Sequence, residues 1–396
     1  MKSKSLKTQV LVIGAGVAGA SLAVRLTKQG FDVLVVEKDI FPRHKLCGEF
    51  VSPECLAHFE QIGVLDSMRE IGGDVIRETR FISESGRTLR VPSEWFSNGT
   101  SGALGISRAE MDYRLLRKAR EEGAWVIEGQ RVVSISTAKN RVQGVVVKDK
   151  SGERTGIEAD LIVDATGRAR VAGKLVERGT GSNKGGRSTK HIAFKAHFEN
   201  VRLERGVCEI YFFRGGYGGL NYVEDGLANH CFIIETQTAR QYGGDADRIV
   251  SEVIFRNKKV RKALEGARRR FDWIAVSVEK FGRQASVDPE NLISIGDARA
   301  FIDPFTGSGM LMALESSELL ANAIGRKDIK DAGMIKERFD ADHRRAIRQR
   351  LNVCSIIRGL AFSPRLAGFV IGAGSLSGSL LERITALTRP ARNISE

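Results

Sequence analysis

A cysteine in the stretch FPRHKLCGEFVSPE, residues 41–54, stands where a thiol could do chemistry. It forms Cys47-Gly48-Glu49, between a basic run and a proline, in a segment too broken for helix or strand. A thiol in such a loop can give up a proton or tune a neighbouring group, and Arg43, His44 and Lys45 set positive charge beside it. The alternative is a cysteine packed as a small hydrophobe beside a solvated basic turn. What flanks the loop has to decide.

Three segments define the surroundings. Gly14-x-Gly16-x-x-Gly19 lies between the strand run TQVLVI and a helix. The first glycine allows a tight turn, the second lets backbone approach a pyrophosphate, the third lets helix pack on strand, and the helix N-terminus faces the phosphates. Glu37 closes the next strand, FDVLVVEK, 18 residues after Gly19, where a carboxylate can take hydrogen bonds from an adenosine ribose. An acid there disfavours a 2′-phosphate, leaving FAD or NAD. The second segment, ADLIVDATGR (159–168), is a buried strand ending in Asp-Ala-Thr-Gly. The third decides the cofactor. LISIGDARAFIDPFTGSGM is a strand, then Gly296-Asp297, a Pro/Gly-rich loop and a helix starting near Gly309. A carboxylate at a strand end can bind a ribityl hydroxyl, and amides at a helix start can stabilise a reduced flavin, so the cofactor is FAD.

The positioning elements follow from the patterning. Residues 8–37 predict a β-α-β unit with parallel strands, the helix ending at Gly30. A helical patch is expected near 54–70, a hairpin in RETRFISESGRTLRVP, and a helix over 107–123 with Ser107 and Glu110 as a capping box. Strands with turns at Lys139–Asn140 and Ser151–Gly152 fill 124–167; 190–282 is strand-rich apart from a basic helix, DRIVSEVIFRNKKVRKALEGARRR; and the chain is helical from 309 onward, with a charged helix at 330–350. The reading is an α/β fold, a Rossmann-like FAD-binding domain with an inserted β-rich substrate domain and a helical C-terminal region. Residues 1–75, 105–175 and 285–330 form the first, 76–104 and 176–284 the second, and 331–396 the third.

Bulk properties narrow the class. A chain of 396 residues with 42% hydrophobic and 28% charged content can bury a large core. Five scattered cysteines without a CxxC pair argue against a zinc site or a disulfide framework and fit a reducing compartment. With no secretory leader pattern and no long apolar run, a cytoplasmic protein is expected. The net charge of +14, the basic stretches at 248–270 and 336–350 and the tail LAFSPRLAGFVIGAG suggest peripheral contact with an anionic membrane. Charged outer faces of packed helices explain the same residues. Nucleic acid is disfavoured, since aromatics are 7% and do not interleave with the basic runs.

Together GAGVAG…E, DATGR and GDARAFIDPFTGSGM resemble the flavoprotein superfamily of aromatic hydroxylases over roughly the first 325 residues, and the Cys47-Gly48 pair resembles its geranylgeranyl reductase group. The resemblance implies that Gly14, Gly16, Ala18 and Gly19 line the pyrophosphate and Glu37 holds the ribose. Cys47 and Gly48 would face the isoalloxazine ring, Arg108 would reach the cofactor, Val132 would pass the adenine by its backbone, and Asp297, Gly309 and Met310 would contact ribityl and flavin. Tyr217 and Tyr222, in GYGGLNYVEDG, fall where those reductases have a Tyr-x-Trp-x-Phe-Pro substrate box; Gly219 stands for its tryptophan. The related flavin halogenases need a Trp-x-Trp-x-Ile-Pro box, which the three tryptophans here do not form.

The leading expectation is an FAD-dependent oxidoreductase reducing C=C bonds of an isoprenoid or other lipophilic substrate, with Cys47 as the catalytic residue, tuning the flavin or supplying a proton, and an acid near it protonating the second carbon. NAD(P)H without a Rossmann domain of its own, or an electron-transfer protein, would be the reductant. The rivals are an FAD monooxygenase on the same scaffold and a flavin-bound, membrane-associated binding protein without turnover.

Overall fold

The computed structural model describes residues 4–96, 102–179, 190–278, 282–283, 288–301, 307–325 and 328–361. Strand β1 (Lys4–Ile13) runs into helix α1 (Val17–Lys28) and then strand β2 (Val33–Val36), the expected β-α-β unit. Where the two strands pair, Val10 to Ile13 against Val33 to Val36, every residue is branched and apolar and is buried on both faces of the parallel pair. Around them a seven-stranded sheet forms. Trp125–Ile127 pairs with β2, Arg154–Asp164 pairs parallel with β1, and Leu292–Ser294 adds parallel to Arg154–Asp164. Chain segments nearly 300 residues apart therefore end on one edge of one sheet. The antiparallel strands Arg131–Ala138 and Arg141–Lys148 extend it, through the expected turn at Lys139 and Asn140, both at positive φ.

The second sheet has eight strands, among them His191–Glu199, Ala228–Glu235, Gly216–Tyr222 and Val207–Phe213, with the hairpin Glu78–Ile82/Thr88–Pro92 at one edge. Its outer face is covered by short helices that bury Ile249, Val250, Val260, Ala263 and Leu264. These helices correct one expectation. The basic stretch is not one helix: Ala246–Glu252, the 3₁₀ turn Ile254–Arg256 and Lys258–Leu264 are separate, and Arg268–Arg269 is a strand. Asn257 caps the last helix by accepting the Lys259 N–H, and Gly266 at φ +81° turns the chain out of it. Helix 54–70 is likewise two, Pro53–Ile62 and Leu65–Arg69, divided at Gly63 with φ +75°.

Helix Gly309–Ile324 packs back on α1, where the Ser21 and Ser317 hydroxyls meet at 2.9 Å. The C-terminal helix runs from Ala332 to Ala361, past the expected 350. Among the described residues no helix is long and apolar enough to cross a membrane. The apolar tail beyond residue 361 lies outside the described residues. The architecture is the Rossmann-like FAD-binding fold with a β-rich sheet and a helical C-terminal region.

Candidate active site

The three glycine-bearing segments converge. Gly14, at φ +102°, leaves β1 so tightly that a Cβ on it would stand 2.7 Å from the Ala165 carbonyl of the Asp-Ala-Thr-Gly turn. A Cβ on Gly19 would overlap the Gly14 carbonyl, so α1 can start against the turn only with glycine there. A Cβ on Gly296 would lie 3.0 Å from that of Ala18, and one on Gly167 would lie 4.0 Å from Asp297 Cβ. Gly16 differs from these: its space is open, and the nearest atoms to a Cβ there are Arg108 Nη2 and Lys45 Nζ, both at 3.8 Å, and Arg43 Nη2 at 4.0 Å. Three cations thus ring the backbone cradle at the start of α1, where the helix dipole also favours an anion. Two phosphates would fill that cradle, so the residues present fit the pyrophosphate of FAD.

Each cation is held for the purpose. Arg108 opens helix Arg108–Glu121, is buried, and makes a bidentate pair with Asp112 one turn later, 2.8 and 2.7 Å. Arg43 reaches the same carboxylate at 3.0 Å. Burial opposes the charge on Arg108, but Asp112 and the adjoining Cys47 thiol raise its pKa above the ordinary arginine value. Lys45 is open to the cleft yet walled by protein; that burial, then Arg108 and Arg43, lower its pKa to about 8. Among the described residues it has no carboxylate at ion-pair distance. Burial raises the pKa of Asp297, and Lys45, Arg168 and Arg108 partly offset it.

Glu37 is buried at the end of β2; one oxygen accepts the Ala15 N–H at 2.8 Å and the other the Asp39 N–H at 3.0 Å. It braces the glycine turn from the position expected of a ribose ligand. Val132 sits two residues beyond Gln130, whose N–H bonds the Glu37 carbonyl, and its side chain is in the sheet core. Gly309 and Met310 start their helix with Ser308 as N-cap, Met310 packing in the core that includes α1.

Cys47 is half-buried beside these groups, and Gly48 is open to the cleft. The second sheet grips the loop. Lys195 donates to the Lys45 carbonyl at 3.1 Å, Asn229 to that of Cys47 at 3.2 Å and Asn221 to that of Glu49 at 3.3 Å. The Glu49 carboxylate forms a buried ion pair with Lys195, meets His197 Nε2 at 2.6 Å and accepts the Arg108 N–H at 2.7 Å. Glu49, Lys195, His197 and Asp112 were not assigned roles from the sequence. Asp112 was within reach as the i+4 partner of Arg108; the other pairs span about 150 residues and leave no local signal.

Two expectations are corrected here. Tyr217 and Tyr222 do not line one pocket. They are five residues apart on a strand, an odd spacing that turns them to opposite faces. Tyr217 clusters with Phe212, Ile233, Phe301 and Leu46 on the loop side, whereas Tyr222 packs among the outer helices and donates to the Val201 carbonyl at 2.6 Å. The capping box on the Arg108 helix is only half formed: Ser107 Oγ accepts the Glu110 N–H at 3.2 Å, but Ser107 N–H is taken by Glu224, 2.9 Å away on the inserted sheet.

Residues 7–327 match the FAD binding domain family, and the chain belongs to it. It is an FAD-dependent flavoenzyme. Among curated proteins it is 26% identical over 352 residues to a flavin-dependent halogenase of Armillaria mellea, covering 81% of this chain and 67% of that one. It is 27% identical over 341 residues to the menaquinone reductase of Mycolicibacterium smegmatis, covering 82% and 78%. Solved structures share the fold, two of them as follows. The flavin-dependent brominase Bmp2 superposes with a TM-score of 0.75 at 19% identity, covering 97% of this chain and 94% of that one. A geranylgeranyl bacteriochlorophyll reductase-like protein from Thermoplasma acidophilum gives 0.70 at 19%, covering 99% and 94%.

Proposed function

We propose that this flavoenzyme reduces carbon–carbon double bonds of an isoprenoid or other lipophilic substrate. The observation that carries the reading is that the loop bearing Cys47 packs on an apolar sheet face through Leu46, while Cys47 itself lies against the core that includes α1. Leu46, its neighbour, packs in one cluster with Phe212, Tyr217, Ile233 and Phe301, while the Cys47 thiol adjoins the Arg108 guanidinium. Bound FAD supplies hydride chemistry at its reduced ring. Cys47 Sγ gives the proton to the second alkene carbon, and Arg108 stabilises the thiolate left behind until solvent reprotonates it. Apolar side chains orient the substrate and exclude water. The reductase names among the relatives support this substrate class: one acts on menaquinone, and a structural neighbour is geranylgeranyl reductase-like.

Electrons come from NAD(P)H bound transiently or from an electron-transfer protein. The outward basic face of Lys258–Leu264 suits an anionic lipid surface that would deliver such a substrate, which cosedimentation with anionic vesicles tests. The second reading, transfer of oxygen or halogen on the same scaffold, is favoured by the halogenase relatives. The deciding experiment gives the enzyme menaquinone with NADPH as reductant, with and without oxygen, returns any quinol to the quinone and counts saturated double bonds in the isoprenoid chain by mass spectrometry. Turnover that continues without oxygen, and falls in Cys47→Ala while FAD stays bound, supports the reductase. Strict oxygen dependence supports the second reading.

A further inference from the structure

We propose that Glu49 is the positioning residue of the site, fixing Cys47 and Arg108 in one arrangement through its buried ion pair with Lys195. The inference concerns the FAD site and holds whichever reaction the site catalyses. Glu49 is wholly buried, and its φ of +53° is a left-handed conformation that side chains other than glycine, asparagine and aspartate seldom adopt. Such a backbone persists only where surrounding contacts over-determine it.

Glu49 has such contacts. One carboxylate oxygen takes both the Lys195 ammonium and the Arg108 N–H, the other takes His197, and the Glu49 N–H points to Cys47 Sγ at 3.4 Å. One residue therefore joins the thiol loop, the first turn of the arginine helix and the middle of the inserted sheet. Its charge matters as much as its reach. Without it, the buried Lys195 ammonium would keep the Lys45 carbonyl but lose its carboxylate. A buried cation left without its partner is strongly destabilising, so the loop should loosen from the sheet, and Cys47 with it.

Site-resolved alkylation of Cys47 by iodoacetamide, read by peptide mass spectrometry on the FAD-loaded protein, tests this. Glu49→Gln keeps the shape and removes the charge; Cys47 should react about tenfold faster, the scale of a local opening controlled by one buried pair. Lys195→Met should do the same. Because both act through one ion pair, the double variant should be no faster than either single one. Wild-type alkylation rates in the folded single variants would overturn the proposal. If a single variant fails to fold, the double variant decides, since it removes both charges together and leaves neither buried alone. Recovery of fold and FAD in the double variant upholds the coupling. A double variant no better than its parents overturns it.

Discussion

Arg108 and Asp112 are locked to each other by two hydrogen bonds, 2.8 and 2.7 Å, one helical turn apart and almost wholly out of solvent. The same carboxylate holds Arg43 at 3.0 Å, so one buried acid aims two guanidiniums at the Gly16 cradle. Asp112→Ala would strip the buried Arg108 of its counter-charge and leave Arg43 with Asp39, 3.6 Å away. Breaking a buried pair from one side costs about 3–5 kcal/mol, and that loss should appear as a lower urea midpoint of the apoprotein. FAD should restore part of it, because its phosphates bring negative charge to the same place.

Gly16 and Gly19 should fail differently. A Cβ on Gly16 has room in the protein but stands where the pyrophosphate must approach. Gly16→Ala should therefore fold with a near-normal thermal midpoint and bind FAD at least about tenfold more weakly, a change of about 1.4 kcal/mol. A Cβ on Gly19 collides with the Gly14 carbonyl, so Gly19→Ala should unfold more readily even before cofactor is added. Fluorescence titration with FAD beside thermal melts of the apoproteins separates the two.

Glu49 makes acid stability measurable at one residue. Burial alone would raise its pKa, but Lys195 and His197 outweigh burial and hold it at about 2, against an ordinary 4.5. The unfolded chain therefore binds that proton more tightly than the folded one. The stabilisation is present above 4.5 and is lost as pH falls toward 2. The stability difference between wild type and Glu49→Gln, from urea unfolding at stepped pH, should shrink across that window and stay level above it.

Lys45 gives the opposite end of the scale. Its ammonium is lost in the apoprotein as pH rises through about 8, and the attraction for a phosphate goes with it. FAD affinity, titrated from about pH 7 to about pH 9.5, should weaken over that range in wild type. Lys45→Met should bind more weakly at the lower pH and show a flatter profile.

The sequence carried what is local. The glycine turn, Glu37, the arginine helix and the strand ending at Asp164 were all readable because periodicity and punctuation act over a few residues. The face of Tyr222 was readable too, from strand parity, as was the break at Asn257 from its capping type. The grip of Lys195, His197, Asn221 and Asn229 on the 45–49 loop was not, because these partners are brought together only when the second sheet closes on the first. Glu224 capping Ser107 from 117 residues away is the same case.

Reduction of a carbon–carbon double bond is tested most directly by one single-turnover experiment. Enzyme reduced with dithionite is mixed with menaquinone in the absence of oxygen and quenched in acid; any quinol is returned to the quinone in air, and the product is then weighed and fragmented by mass spectrometry. Flavin reoxidation should be matched mole for mole by a product carrying two additional hydrogens in its isoprenoid chain and no oxygen. Flavin that stays reduced until air is admitted, with oxygen appearing in the product, would contradict it.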